Sequence, residues 1–210
     1  MRRFAGVMAA TLAVVALAGC QLAAPPTTPA PTASTPTHTP SSPAPDPTPT
    51  PMCTPEAGGE EFPCTQADYD QMKAKDALYA EAEAVYSRFH EERVRISRAG
   101  GIAEPTAAIL STSQGAALDS VMESMRGMLD RGIHAKGESP QVSFSRVAGV
   151  SREGSVATLL ACVDATGWAF YEGDELQSIG THAENRVYFS RVDQTLKMTY
   201  IEGREVDSCG

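Results

Sequence analysis

The 210-residue chain is poor in positive charge, in aromatic side chains and in histidine, and each shortage removes a class of function. Lysine and arginine together number 17 against 26 aspartates and glutamates, a formal net charge of −9. A surface of that sign repels phosphate backbones and anionic headgroups, so no nucleic-acid partner is expected. There are 4 histidines and 5 cysteines, with no C-x-x-C pair and no histidine at ligand spacing from a cysteine. No metal site and no cofactor are therefore expected. A glycine-rich phosphate loop, a serine nucleophile elbow and an internal repeat are all missing. Long apolar runs are missing too: Phe4 to Ala18 is the longest, and a membrane helix needs about 20 such residues.

What is present begins at that run. Arg2 and Arg3 precede it, and Leu17-Ala18-Gly19-Cys20 closes it. A basic start, an apolar core and a small-residue end make an export signal over residues 1–19. Leu17-Ala18-Gly19-Cys20 resembles the lipobox of bacterial lipoprotein signal peptides. That resemblance implies lipidation of Cys20 by a diacylglycerol, cleavage just before it, and further acylation, palmitate included, at the new amino terminus. Two or three chains hold a protein on a bilayer far better than one, each buried methylene contributing about 0.8 kcal/mol. The partner implied is the membrane, and the location its extracellular side. Loss of Arg2 and Arg3 with the signal takes the net charge from −9 to −11.

Residues 20–55 then read as a tether. From Ala24 the segment is Pro, Thr, Ser and Ala with almost no charge, and it cannot bury enough surface to offset its ordering entropy. Proline at this density favours polyproline II, which would reach on the order of 90 Å over this length. His38 sits in this segment and is read as solvated. With Cys20 assigned to lipid, Cys53, Cys64, Cys162 and Cys209 remain for an oxidising compartment. Of three possible pairings, Cys53–Cys64 and Cys162–Cys209 are favoured. The first brackets a short Gly-rich turn, and the second ties a mid-domain strand to the chain end.

Residues 56–210 form one domain of ordinary size. A long helix is predicted from about Asp68 to Arg98, capped by Thr65 or Asp68 and stopped at Gly100-Gly101. Its apolar stripe is Leu78, Ala82, Val85, Phe89 and Ile96. A short helical turn follows Pro105. A second long helix is predicted from about Gln114 to Arg131, with caps offered by Ser111 to Ser113. Leu118, Val121, Met122, Met125, Met128 and Leu129 form its stripe. Beyond Gly132 the period changes to two. Strands are expected at Ile133–Lys136 leading into Val142–Ser151, at Ser155–Asp164 with Trp168–Tyr171 as an extension, at Asn185–Val192 and at Thr195–Glu202. "SREGSV" and "VDQT" are read as hairpin turns. Helices followed by an antiparallel meander make an α+β domain.

That order resembles the NTF2-like, or cystatin-like, fold, a cone of N-terminal helices packed on a curved antiparallel sheet. More specifically, Cys162, Asp164, Thr166, Trp168, Gly173 and Cys209 are similar to the C-terminal half of small lipoproteins of high-GC Gram-positive bacteria. Leu196-Lys197 departs from the Trp-Lys usual there. Asp164 and Trp168, which the resemblance carries, are the candidate ligand-contacting residues; the tether, the extracellular location and the lack of a convergent catalytic set favour a non-catalytic module for a small apolar ligand or an envelope protein. The alternative is an isomerase- or hydratase-type enzyme with Asp164 or His182 as general base, His182 lying on the same strand face as Glu184. Asp174, His90 and His134 are further titratable groups. Against the base reading, Asp164-Ala165-Thr166-Gly167 also reads as an Asx-type turn that engages the Asp164 carboxylate. An enzyme needs one of these groups inside a closed apolar cavity, whereas a binding module needs the cavity alone.

Overall fold

The computed structural model describes residues 49–56, 58–148 and 152–210. The chain divides into residues 1–46 and a compact unit, Pro47–Gly210. The signal at 1–19, the lipidated Cys20 and nearly all of the tether lie outside the described residues, as does Ser151 of the first hairpin turn.

The unit opens with a two-strand ribbon, β1 (Met52–Cys53) and β2 (Phe62–Pro63), closed by the Cys53–Cys64 disulfide. Helix α1 (Gln66–Ala99) follows at once. Thr65 is its N-cap in a capping box: the Thr65 hydroxyl accepts from the Asp68 backbone amide, and the Asp68 carboxylate accepts from that of Thr65. At the other end Gly100, with φ +90, takes the left-handed cap that a residue with a Cβ resists. Ala82, Val85, Phe89 and Ile96 are buried as the stripe requires, and Tyr79 and Tyr86 join them.

Helix α2 (Ala107–Thr112) is capped by Thr106, and α3 (Ala116–Arg131) packs beside β9, described below. The expected serine caps do not serve α3. Its N-cap is Gly115, because the Ser113 hydroxyl is already donated back to the Ile109 carbonyl, 2.7 Å away. Val121, Met122, Met125 and Met128 are buried, Leu118 is half-buried and Leu129 is exposed.

The strands after α3 form two sheets rather than one meander. β4 (Gln141–Arg146), β5 (Ala157–Asp164), β8 (His182–Val192) and β9 (Thr195–Val206) run antiparallel in that order. β3 (Ile133–Gly137), β6 (Trp168–Glu172) and β7 (Glu175–Ile179) make a separate antiparallel sheet in the order β3-β6-β7. Two breaks cause the split. β3 ends at Gly137, whose φ is +113 and whose backbone so nearly meets the Gly167 carbonyl that a Cβ would overlap it. Pro140, which has no amide to donate, then separates β3 from β4. Likewise β6 does not extend β5. The Trp168 amide donates to the Ala165 carbonyl at 2.8 Å, and this turn carries the chain into the other sheet.

The core lies between α1 and one face of the four-stranded sheet. Leu159, Ala161 and Val163 of β5 alternate inward, and Val187, Phe189, Leu196 and Met198 continue that layer. The β8–β9 hairpin turns through Asp193 and Gln194, both at positive φ (48° and 66°), as a two-residue loop of this type demands. Past Val206 the chain doubles back: β8 lies between β9 and β5, yet Cys209 reaches Cys162 on β5 with a Cα–Cα distance of 5.5 Å. Both expected disulfides are thus formed. They fit an oxidising compartment. No helix among the described residues is long and apolar enough to cross a membrane.

Candidate functional site

The two sheets and the two long helices leave a cavity of 470 Å³ between them, inside the range of about 300–1,000 Å³ usual for small-molecule sites. Each wall follows from the sequence period. From α1 come His90, Arg93, Val94 and Ser97, spaced i, i+3, i+4 and i+7, one face of a helix. α3 contributes Met125, Met128 and Arg131. β6 supplies Trp168 and Phe170, whose rings meet edge to face at 5.6 Å. Ile133, Val163 and Ala165 complete the apolar lining, and Gln177 and Ser178 of β7 stand on its far side.

Two polar groups in these walls are out of balance. Trp168 is 6% exposed, and its indole N–H has no hydrogen-bond partner. His90 Nε2 lies 3.4 Å from the Pro140 carbonyl. A carbonyl only accepts, so Nε2 carries the proton and Nδ1 is left as an acceptor; Nδ1 is buried and also lacks a partner. Burial, and then the positive charge of Arg93, push the His90 imidazole below its ordinary pKa, so it is held neutral. A buried polar atom without a partner costs about 1–3 kcal/mol, and here two belong to side chains of one cavity.

The residues singled out from the sequence separate in space. Trp168 is in the cavity wall. Asp164 is not: it sits at the end of β5 with its side chain 43% exposed. Its carboxylate accepts from the Thr166 hydroxyl at 2.7 Å and the Thr166 amide at 3.0 Å, the Asx-type turn that redirects the chain into β6. These bonds, the hydroxyl's first, hold its pKa below the usual carboxylate range. An acid tuned as a base in an apolar cone would move the other way. His182 faces Asp164 across β5–β8, Nε2 to Oδ1 at 3.5 Å, outside the cavity. Glu184 does not orient it, since that carboxylate accepts from Arg204 Nε at 2.8 Å. His134 stacks on Tyr171 at 6.1 Å. Among the described residues no group of three or more His, Cys, Asp or Glu side chains could hold a metal ion. Sequence reasoning missed Arg93 and Arg131 as wall residues. Only the tertiary placement of α3 against the β3-β6-β7 sheet brings them to one wall.

A second, more open groove of 810 Å³ runs between the β1–β2 ribbon and α1. Its charged groups are already engaged. Glu56 accepts from Lys75 at 2.7 Å and from the Tyr79 hydroxyl at 2.8 Å, and Arg146 pairs with Asp76.

No family model matches the chain, and no curated protein does either. Among solved structures, the intermembrane space region of the chloroplast protein ARC6 aligns over 60% of this chain and 95% of its own, at 16% identity and a TM-score of 0.43. A designed de novo β-sheet protein aligns over 62% of this chain and 92% of its own, at 14% identity and a TM-score of 0.36. At those scores neither likeness carries a fold family or a function across.

Proposed function

We propose that the protein is a membrane-tethered binding module. Its NTF2-like domain takes a small, largely apolar ligand in the cavity between α1, α3 and the β3-β6-β7 sheet. The observation that carries this reading is the 470 Å³ cavity itself, with Met125, Met128, Trp168 and Phe170 in its wall. The body of such a ligand replaces water against methionine and aromatic surface. Lipid on Cys20 and the proline-rich segment after it would hold the domain outside the cell membrane. The enzyme alternative loses support from Asp164, which is committed to its turn, and from His182, which lies outside the cavity.

The test is native mass spectrometry of protein purified without detergent from a host that exports it. A retained small molecule that is released on unfolding, and absent from a Met125→Trp variant that fills the cavity, is the expected result. Wild-type protein that flies as the bare chain, and whose Trp168 emission is unmoved by any of a panel of apolar small molecules, overturns the reading.

A further inference from the structure

Resting on the ligand-cavity reading, we infer that the cavity takes an amphiphile with one anionic end, a carboxylate. The carboxylate is received by Arg93 and Arg131, and the hydrocarbon body lies against Met125, Met128, Trp168 and Phe170. The argument starts from charge. In a chain of net charge −9, this wall contains two arginines and not one aspartate or glutamate. Elsewhere on the surface of the described residues some cations are matched and others, Arg88 and Arg126 among them, are not. Lys75, Arg95, Arg146, Arg152, Arg191 and Arg204 each have a carboxylate within 4.0 Å. Arg93 and Arg131 have none among the described residues.

Arg131 is half explained by its position. It stands in the last turn of α3, where a cation suits the helix end, and its Nε donates to the Gly127 carbonyl at 3.1 Å. That bond fixes the stem and leaves the terminal guanidinium nitrogens without a protein partner. Arg93 has no such reason. It is mid-helix on α1, one turn from the neutral His90, and both are on the face that lines the cavity. Guanidinium groups match the planar geometry of a carboxylate and accept it bidentately. Apolar walls closed by a cationic rim therefore select for a fatty-acid-like anion over a neutral or cationic amphiphile of equal length.

The experiment is a titration of the purified protein with decanoate, decanol and decyltrimethylammonium, read by the emission of Trp168, the chain's one tryptophan, and by calorimetry. Decanoate is expected to bind at least about tenfold more tightly than decanol, with the advantage shrinking at high salt, and the ammonium more weakly than both. The double variant Arg93→Gln, Arg131→Gln is expected to erase the preference and leave decanol affinity unchanged. Both arginines are exposed at the rim, so the variant retains its core. Arg→Lys at both positions keeps part of the preference. Equal affinity for decanoate and decanol overturns the anionic specificity while sparing the cavity. A decanoate preference that survives the double substitution overturns the role of these arginines. Silence from all three probes overturns the specificity and the cavity reading together.

Discussion

Replacing Cys162 and Cys209 by alanine removes the bridge that folds the chain end back across β8 onto β5. The two cysteines are 47 residues apart, and in the chain-entropy picture a loop of that length destabilises the unfolded state by about 4 kcal/mol at 25 °C. The Cys53–Cys64 bridge spans 11 residues, which gives about 3 kcal/mol on the same relation. The difference depends only on the logarithm of the loop ratio and comes to about 1.3 kcal/mol. Position widens it. The β1–β2 ribbon is two residues per strand and peripheral, so it opens without the core and returns less than its full loop term to global stability. The other bridge ties the tail beyond β9 to β5 of the main sheet. The assay is urea unfolding of both pairwise Cys→Ala variants beside wild type, comparing midpoints at constant slope. The Cys162/Cys209 variant is expected to lose more than the Cys53/Cys64 variant by at least about 1 kcal/mol. The reverse order, or a loss under about 1 kcal/mol for Cys162/Cys209, refutes the view that the tail is pinned rather than packed.

Three other outcomes are expected. Gly101, at φ +90, lies where a Cβ would overlap the Met125 carbonyl and come within 2.6 Å of the Leu129 amide nitrogen; Gly101→Ala should therefore cost clearly more than Gly132→Ala, which has open space and only the left-handed penalty of about 1–2 kcal/mol, and equal midpoints in urea would contradict the close approach of α3 to the end of α1. Asp164→Asn keeps an acceptor for Thr166 and should unfold later in urea than Asp164→Ala. Because the folded pKa of Asp164 is depressed, the stability it contributes is complete above the unfolded value of about 3.9 and is lost as pH falls through the lower folded value; both variants should show a flatter acid limb in that window, and an unchanged limb would contradict it. Cys20→Ala should abolish incorporation of labelled lipid and block normal signal cleavage, and labelling that persists in the variant would refute lipidation at that residue.

The helices were legible because their signals are local. Thr65, Asp68 and Gly100 cap α1 through contacts a few residues away, and the stripe from Ala82 to Ile96 needs no knowledge of the sheet that covers it. Both disulfides were legible from spacing and elimination. Strand membership was not. Trp168 to Glu172 reads as a strand much as Leu159 to Val163 does, and the turn at Ala165 to Gly167 that sends them to different sheets is a matter of two backbone hydrogen bonds and a carboxylate. β7 was invisible because every one of its residues is exposed, so it has no apolar period to read. The site was half legible. Trp168 stood out by chemistry and resemblance, while Arg93 and Arg131 carry no mark in the sequence that separates them from Arg88 or Arg126. What distinguishes them is their place in the wall of the cavity, a property of the assembled fold.

Amide hydrogen exchange with and without saturating decanoate tests the placement of the site most directly. Protection is expected in three separate stretches, around His90 to Ser97 of α1, Met125 to Arg131 of α3 and Trp168 to Phe170 of β6, with residues Phe62 to Asp76 beside the second groove unchanged. Protection confined to Phe62 to Asp76 and β4 would move the site to that groove and contradict the account.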